Sequence, residues 1–292
     1  MFGRVAVPYN SKQQIADLIG KHFPAAESAG FHLAPISGLS SESWRIHAPG
    51  LDVLARPQSL SGRLSGTDRQ REFHLLRQMA LIGLAPRPLL WHDGWLIVEW
   101  VDGRVATASE FSALLRNGEL ARCLARIHQQ PCSGYPLALK PLFARHWQMM
   151  DARRRSPALL RLHRHFQQKA PPKPLAIAPL HLDVHAENLL LTDEKIMFID
   201  WEYAADGDIA LEMAFIIRAN QLDSGMQRRF LQTYQQQRPG FSLACLQQRT
   251  AQWLPWVDYL MVMWYEIRWQ QTRQETFLRA LAPLRRQLGI SG

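Results

Sequence analysis

The apolar pattern of this chain changes period once, at Val101-Asp102-Gly103. Before that point, short runs alternate apolar and polar residues and read as strands: 30–36, 43–48, 51–56, 89–91 and 96–100. His92-Asp93-Gly94 supplies a hairpin turn between the last two. Two helices interrupt the strands. One covers 11–23, with Ile15, Leu18, Ile19 and Phe23 on one face, and the other runs from near Asp68 to near Gly83. Beyond 103 the spacing is helical: 114–129 with Leu120, Leu124 and Ile127 on one stripe, two helices within 143–168, then about 208–220, 224–236, 244–271 and 274–288. The fold class is therefore α+β in two lobes. Residues 1–103 make a small antiparallel-sheet lobe with one main helix, and 104–292 make a larger, mainly helical lobe. Together they form one domain hinged near 103.

One stretch of the helical half breaks its own pattern. Pro179-Leu180-His181-Leu182-Asp183-Val184-His185-Ala186-Glu187-Asn188 precedes two short apolar runs, 189–191 and 195–199, turned by Thr192-Asp193-Glu194. Asp200 closes the second run. Pairing the runs as a hairpin brings Asn188 and Asp200 to the same end. A neutral amide oxygen and a carboxylate make a suitable pair of ligands for a hard cation. Asp183, five residues before the amide, is then placed to accept the proton of an attacking hydroxyl. Phosphoryl transfer needs that set, because it asks for in-line positioning and dispersal of charge. A rival arrangement uses His181, Asp183, His185 and Glu187, which share one face of an extended strand and would suit a metal-dependent hydrolase. In that case Asn188 and Asp200 have no role.

Composition excludes several other classes. With 47% hydrophobic and 20% charged residues, the 292-residue chain can build real cores and is not disordered. No apolar run reaches the ~20 residues of a membrane span, and no signal peptide is evident. Three scattered cysteines suit a reducing cytoplasm. The net charge of +9 concentrates around Arg153-Arg154-Arg155, Arg161 and Arg164, without a nucleic-acid-binding signature, and reads as a basic surface.

Four of the ten tryptophans fall at Trp253, Trp256, Trp264 and Trp269, with Tyr259 and Tyr265 among them. Helical spacing lets some of these rings bury a stripe while others wall a pocket for a flat or cationic acceptor. Trp201, Tyr203, Trp264 and Glu266 are the pocket candidates, with Glu202 a further acid near Asp200.

His181 to Asn188, with Ile199-Asp200-Trp201-Glu202-Tyr203-Ala204, resembles the choline kinase and aminoglycoside phosphotransferase superfamily, whose fold is protein-kinase-like. Asp200 is not followed by Phe-Gly, and no activation segment fits before Asp206-Gly207-Asp208, so the chain departs from protein kinases. Within the superfamily, 181–189, 199–204, 206–212, 253–256 and 264–272 resemble the bacterial thiamine kinases.

The resemblance implies ATP and Mg²⁺ as cofactors, thiamine as the small-molecule partner, and thiamine salvage in the cytoplasm without an obligate protein partner. It implies that 37–42 covers the phosphates through Gly38, Ser40 and Ser41. Arg56 would take the place of the phosphate-gripping lysine with Glu72 as its partner, and Glu99 to Val101 would meet the adenine. It also implies that Asp208 either hydrogen-bonds the catalytic loop or caps its helix. Kinases for choline, another amino-alcohol or an aminoglycoside are the alternatives within the class. A nucleotide-binding pseudokinase is the alternative outside it.

Overall fold

Strict alternation along three neighbouring strands decides where the first lobe puts its core. Trp44, Ile46 and Ala48 of β2 (Ser43–Ala48) and Val53 and Ala55 of β3 (Leu51–Pro57) are buried on one face. Trp95 and Ile97 of β5 (Trp95–Glu99) extend that face. Ile15, Leu18 and Ile19 of α1 (Ser11–His22) and Ala26 of α2 (Pro24–Ala29) cover it. The computed structural model describes residues 11–36, 43–59, 62 and 66–290. Its antiparallel sheet has the order β1-β2-β3-β5-β4, with β1 at His32–Ile36 and β4 at Pro88–His92.

The other face carries Leu54, Arg56, Leu96 and Val98, with Arg56 opposite Leu96 in the register. Against this face lies α3 (Arg69–Leu81), whose buried residues are Arg69, Glu72, Leu75, Leu76 and Met79. Asp68 caps it by accepting from the Gln70 and Arg71 amides. Leu75, Leu76, Met79, Leu96 and Val98 join the core of the helical half, so the sheet's second face and α3 are continuous with the larger lobe.

The helical half contains α4 (Ala108–Arg116), α5 (Glu119–His128), α6 (Leu139–Met149), α7 (Pro157–Gln168), α8 (Ile209–Ala219), α9 (Ser224–Gln237), α10 (Leu243–Thr272) and α11 (Glu275–Gln287). The single helix expected over 114–129 is two, because the chain turns at Gly118 with φ +80°. Short strands missing from the sequence reading also appear. β7 (Ile177–Leu180) pairs with β10 (Ala205–Asp208), and β6 (Arg104–Val105) extends the expected hairpin of β8 (Leu189–Leu191) and β9 (Ile196–Phe198). These pieces frame the segment 181–188.

A Cβ at Gly118 would meet Thr233 Cγ2 at 2.7 Å, besides placing an L-residue in left-handed backbone. Gly118→Ala should cost about 1–2 kcal/mol for the backbone alone, with the Thr233 contact adding to it. A lowered denaturation midpoint at unchanged slope is the expected result, and an unchanged midpoint would refute the account.

Candidate active site

The loop between β7 and β8 is held from beneath by one carboxylate. Glu212 Oε1 accepts the backbone N–H groups of His181 at 2.7 Å and Leu182 at 2.6 Å. Its Oε2 lies 2.5 Å from His128 Nε2, and His128 Nδ1 lies 2.6 Å from the Tyr234 hydroxyl. Burial pushes the Glu212 carboxyl up, but the His128 bond and the Leu182 amide outweigh it and hold the group below its ordinary value. Leu182 stands at φ +65°, a conformation an L-residue keeps only when its surroundings impose it. The pinned amides of His181 and Leu182, with the Asp183 N–H held by His181 Nδ1, provide that constraint.

From this base Asp183 emerges half-buried. Asn188 Nδ2 donates to the Asp183 carbonyl and to its Oδ2, both at 2.9 Å. His185 Nε2 lies 3.4 Å from Asp183 Oδ1. Burial works against the His185 charge, and the Asp183 carboxylate more than compensates, raising its pKa. The side-chain Oδ1 of Asn188 carries no protein bond among the described residues. The hairpin brings Asp200 alongside, since the Ile199 N–H donates to the Asn188 carbonyl at 3.0 Å. Asp200 has φ +62°, and its Oδ2 has no protein partner among the described residues.

These two oxygens fit a magnesium ion, which takes one or two protein ligands and fills its octahedron with water and phosphate oxygens. The rival zinc-type set does not assemble. His181 is fully buried, with Nδ1 accepting from the Asp183 N–H and Nε2 donating to the Ile199 carbonyl at 3.0 Å. Both ring nitrogens serve the main chain, and burial lowers the pKa of the ring.

Arg56 joins the sheet to this hairpin. Its guanidinium contacts Glu72 of α3 at 2.7 Å and Asp200 at 2.5 Å. Arg69 completes the cluster with Glu72 at 2.5 Å and Glu202 at 2.9 Å. Burial opposes the Arg56 charge, but Asp200, Glu72 and Glu202 overcome it and keep the group protonated. Asp200 is likewise held below its ordinary value, Arg56 outweighing burial. Glu202 is pushed up to about 7 by burial and by Asp200, in spite of its contact with Arg69.

A cavity of about 830 Å³ opens over these groups. Ile36, Ser43, Leu54 and Arg56 line it from the sheet, and Asp183, Asn188 and Asp200 from the loop and hairpin. Tyr203 and Trp264 also line it, joined by a 3.2 Å bond from the indole N–H to the phenol oxygen.

Two pocket candidates do not reach the cavity. Trp201 is fully buried, donates to the Phe198 carbonyl at 2.8 Å and packs on His181. Glu266 sits two residues beyond Trp264, which turns it about 200° around the helix. It is buried there, paired with Arg154 and with Arg285 at 2.7 Å. Glu99 accepts from the Arg87 amide on the connection out of β5, with half-buried Val101 beyond it. Gly38, Ser40 and Ser41 lie outside the described residues, although Ile36 and Ser43 on either side line the cavity.

Asp208 caps α8 and accepts from the Leu175 amide and the Trp253 indole, so bracing the loop falls to Glu212 instead. The available signal was an acid inside the apolar run of Ile209–Ala219. Nothing in the spacing pointed to Tyr234.

The family model described as the phosphotransferase enzyme family matches residues 32–246. Thiamine kinase from Salmonella heidelberg (strain SL476) is 40% identical over 222 residues, covering 76% of this chain and 77% of that protein. Among solved structures, choline kinase LicA from Streptococcus pneumoniae superposes with TM-score 0.73 at 14% identity, over 96% of this chain and 99% of that one. LicA in complex with AMP superposes with TM-score 0.74 at 14% identity, over 96% of this chain and 98% of that one. The fold is thus the protein-kinase-like one of the choline kinases.

Glu212→Ala leaves two buried amides without an acceptor, at about 1–3 kcal/mol each. The variant should melt earlier and lose loop geometry, read as faster hydrogen exchange at 181–183. Unchanged exchange there would exclude the bracing role.

Proposed function

The chain belongs to the phosphotransferase enzyme family, and we propose that it transfers the γ-phosphoryl group of ATP to the primary hydroxyl of thiamine, giving thiamine phosphate and ADP. The observation that carries this reading is the convergence of Asp183, Asn188 and Asp200 at one cavity, in a chain 40% identical to a thiamine kinase.

In this reading the acceptor hydroxyl donates to Asp183, which takes its proton as the bond to phosphorus forms. Asn188 fixes the carboxylate through its amide nitrogen while its carbonyl oxygen turns to the metal side. Asn188 and Asp200 would hold Mg²⁺, which when bound neutralises charge on the phosphates. Arg56, kept charged and oriented by Glu72, binds phosphate oxygens with its planar fork. Ile36 and Leu54 offer an apolar roof for the base, while Gly38, Ser40 and Ser41 would cover the phosphates and Glu99 to Val101 would present backbone to the adenine. Residues 1–103 act as the nucleotide lobe and 104–292 as the acceptor lobe. Among the described residues no helix is long and apolar enough to cross a membrane. The chain draws on cytoplasmic ATP and needs no obligate protein partner.

Asp183→Ala should lower kcat by about a hundredfold to ten-thousandfold, the range of a lost general base, while ATP still binds. Turnover near that of the parent would remove Asp183 from the chemistry. Asp200→Asn should abolish the dependence of nucleotide affinity on Mg²⁺ in titration calorimetry, and retention of that dependence would refute the ligand role.

A further inference from the structure

The acids of the cavity are confined to one end, where Arg56 and Arg71 also line it, and Arg145 lines it from α6. Its acids, Asp183, Glu187, Asp200 and Glu202, all come from the loop and hairpin segment at the transfer end. From Tyr203 the wall continues through Trp264 to Tyr265 and Phe277. On the α10 and α11 side the charged lining residue, among the described residues, is Arg268. Arg268 stands four residues after Trp264, on the same face of α10, with its guanidinium 5.7 Å from the Trp264 ring and 5.6 Å from that of Phe277. Arg268 Nη1 also lies 3.4 Å from Gln271 Oε1. Two aromatic faces and the helix carry this donor at a fixed place, one turn of α10 beyond the Trp264 that bonds Tyr203.

An acceptor lying along this cavity needs its positive charge near the reacting hydroxyl and a neutral, hydrogen-bond-accepting group at the other end. Thiamine has that polarity. Its hydroxyethyl arm sits on the cationic thiazolium, and its aminopyrimidine is neutral with ring nitrogens that accept. Choline carries its cation beside the hydroxyl but nothing to reach the far end. An aminoglycoside would bring ammonium groups against Arg268. We propose that Arg268 is a specificity-determining residue that donates to a ring nitrogen of the aminopyrimidine, a reading that rests on the proposed thiamine kinase activity. Arginine suits the task because it is donor only, permanently charged, and flat enough to lie on the rings that wall the site. The aromatic faces beneath it fix the guanidinium in place, so little side-chain freedom is lost when the acceptor docks.

The test compares two acceptors. One is thiamine, and the other is the N-methylated hydroxyethyl-methylthiazolium, which keeps the cation and the alcohol but lacks the second ring. Arg268→Leu keeps an apolar stem on Trp264 and Phe277 and removes the donor. The expected result is a fall in kcat/KM for thiamine of about tenfold to a hundredfold, carried by KM, as for a lost charge-assisted hydrogen bond. The truncated acceptor should stay within about twofold of its value with the parent enzyme, so the preference for thiamine over it shrinks by the same factor. An equal loss for both acceptors, or none for thiamine, overturns the assignment while leaving the kinase reading intact. A parent enzyme that phosphorylates the thiazolium but not thiamine overturns this assignment and the thiamine reading together. Should Arg268→Leu fail to fold, Arg268→Gln, whose amide reaches less far, is held to the same comparison.

Discussion

The site depends on a buried knot of five charges. Arg56 and Arg69 meet Glu72, Asp200 and Glu202, two positive groups against three negative, with all but Asp200 nearly closed to solvent. Such a cluster contributes little net stability, because desolvating the ions consumes most of their attraction. It contributes definition. Arg56 comes from the sheet, Glu72 and Arg69 from α3, and Asp200 and Glu202 from the hairpin and the turn after it. A shift of any of the three elements leaves a buried charge without its partner. The knot therefore fixes the distance between the nucleotide side and the metal side of the cavity. The Arg71 guanidinium reinforces it by donating to the Glu202 carbonyl at 3.0 Å.

The second constraint acts from below. Glu212, His128 and Tyr234 form a chain of short, buried hydrogen bonds that ends on two amides of the catalytic loop. The helices α5, α8 and α9 supply one member each. Tertiary packing thereby holds Leu182 in left-handed backbone and aims Asp183 upward. The strain at Leu182 and at Asp200 is local, and the structure that opposes it is spread over the helical lobe.

The cavity above combines these rigid parts with a wall that differs along its length. Its acids lie close to Asp183 together with Arg56, Tyr203 and Trp264 follow, and at α10 it carries Arg268. Glu266, which the pattern of acids and aromatics suggested for cation binding, is neutralised on the opposite face of α10 by Arg154 and Arg285. The positive charge of an acceptor is thus left to the acids of the transfer end, with the rings of Tyr203 and Trp264 beside them.

Much of this was legible in the chain. The change of period at 103 separated sheet from helices, since alternation of 2 and spacing of 3.6 are properties of local geometry. Asp183, Asn188 and Asp200 could be placed together because a two-stranded hairpin has only one way to bring its ends side by side. The pairing of Arg56 with Glu72 was implied by the family resemblance. What sequence could not decide was which face of an element meets what. Trp201 and Tyr203 look alike as aromatic neighbours of Asp200, yet a short helical turn sends one into the core and the other to the cavity. Glu212 and Asp208 are equally acidic near the start of α8, and only packing shows which carboxylate lies under the loop. Most elements and the chemical groups could be read along the chain, because they depend on neighbours in sequence. The tertiary structure alone decided the partners, because His128 and Glu212, or Trp264, Arg268 and Phe277, meet only when separate helices pack and their side chains leave water together.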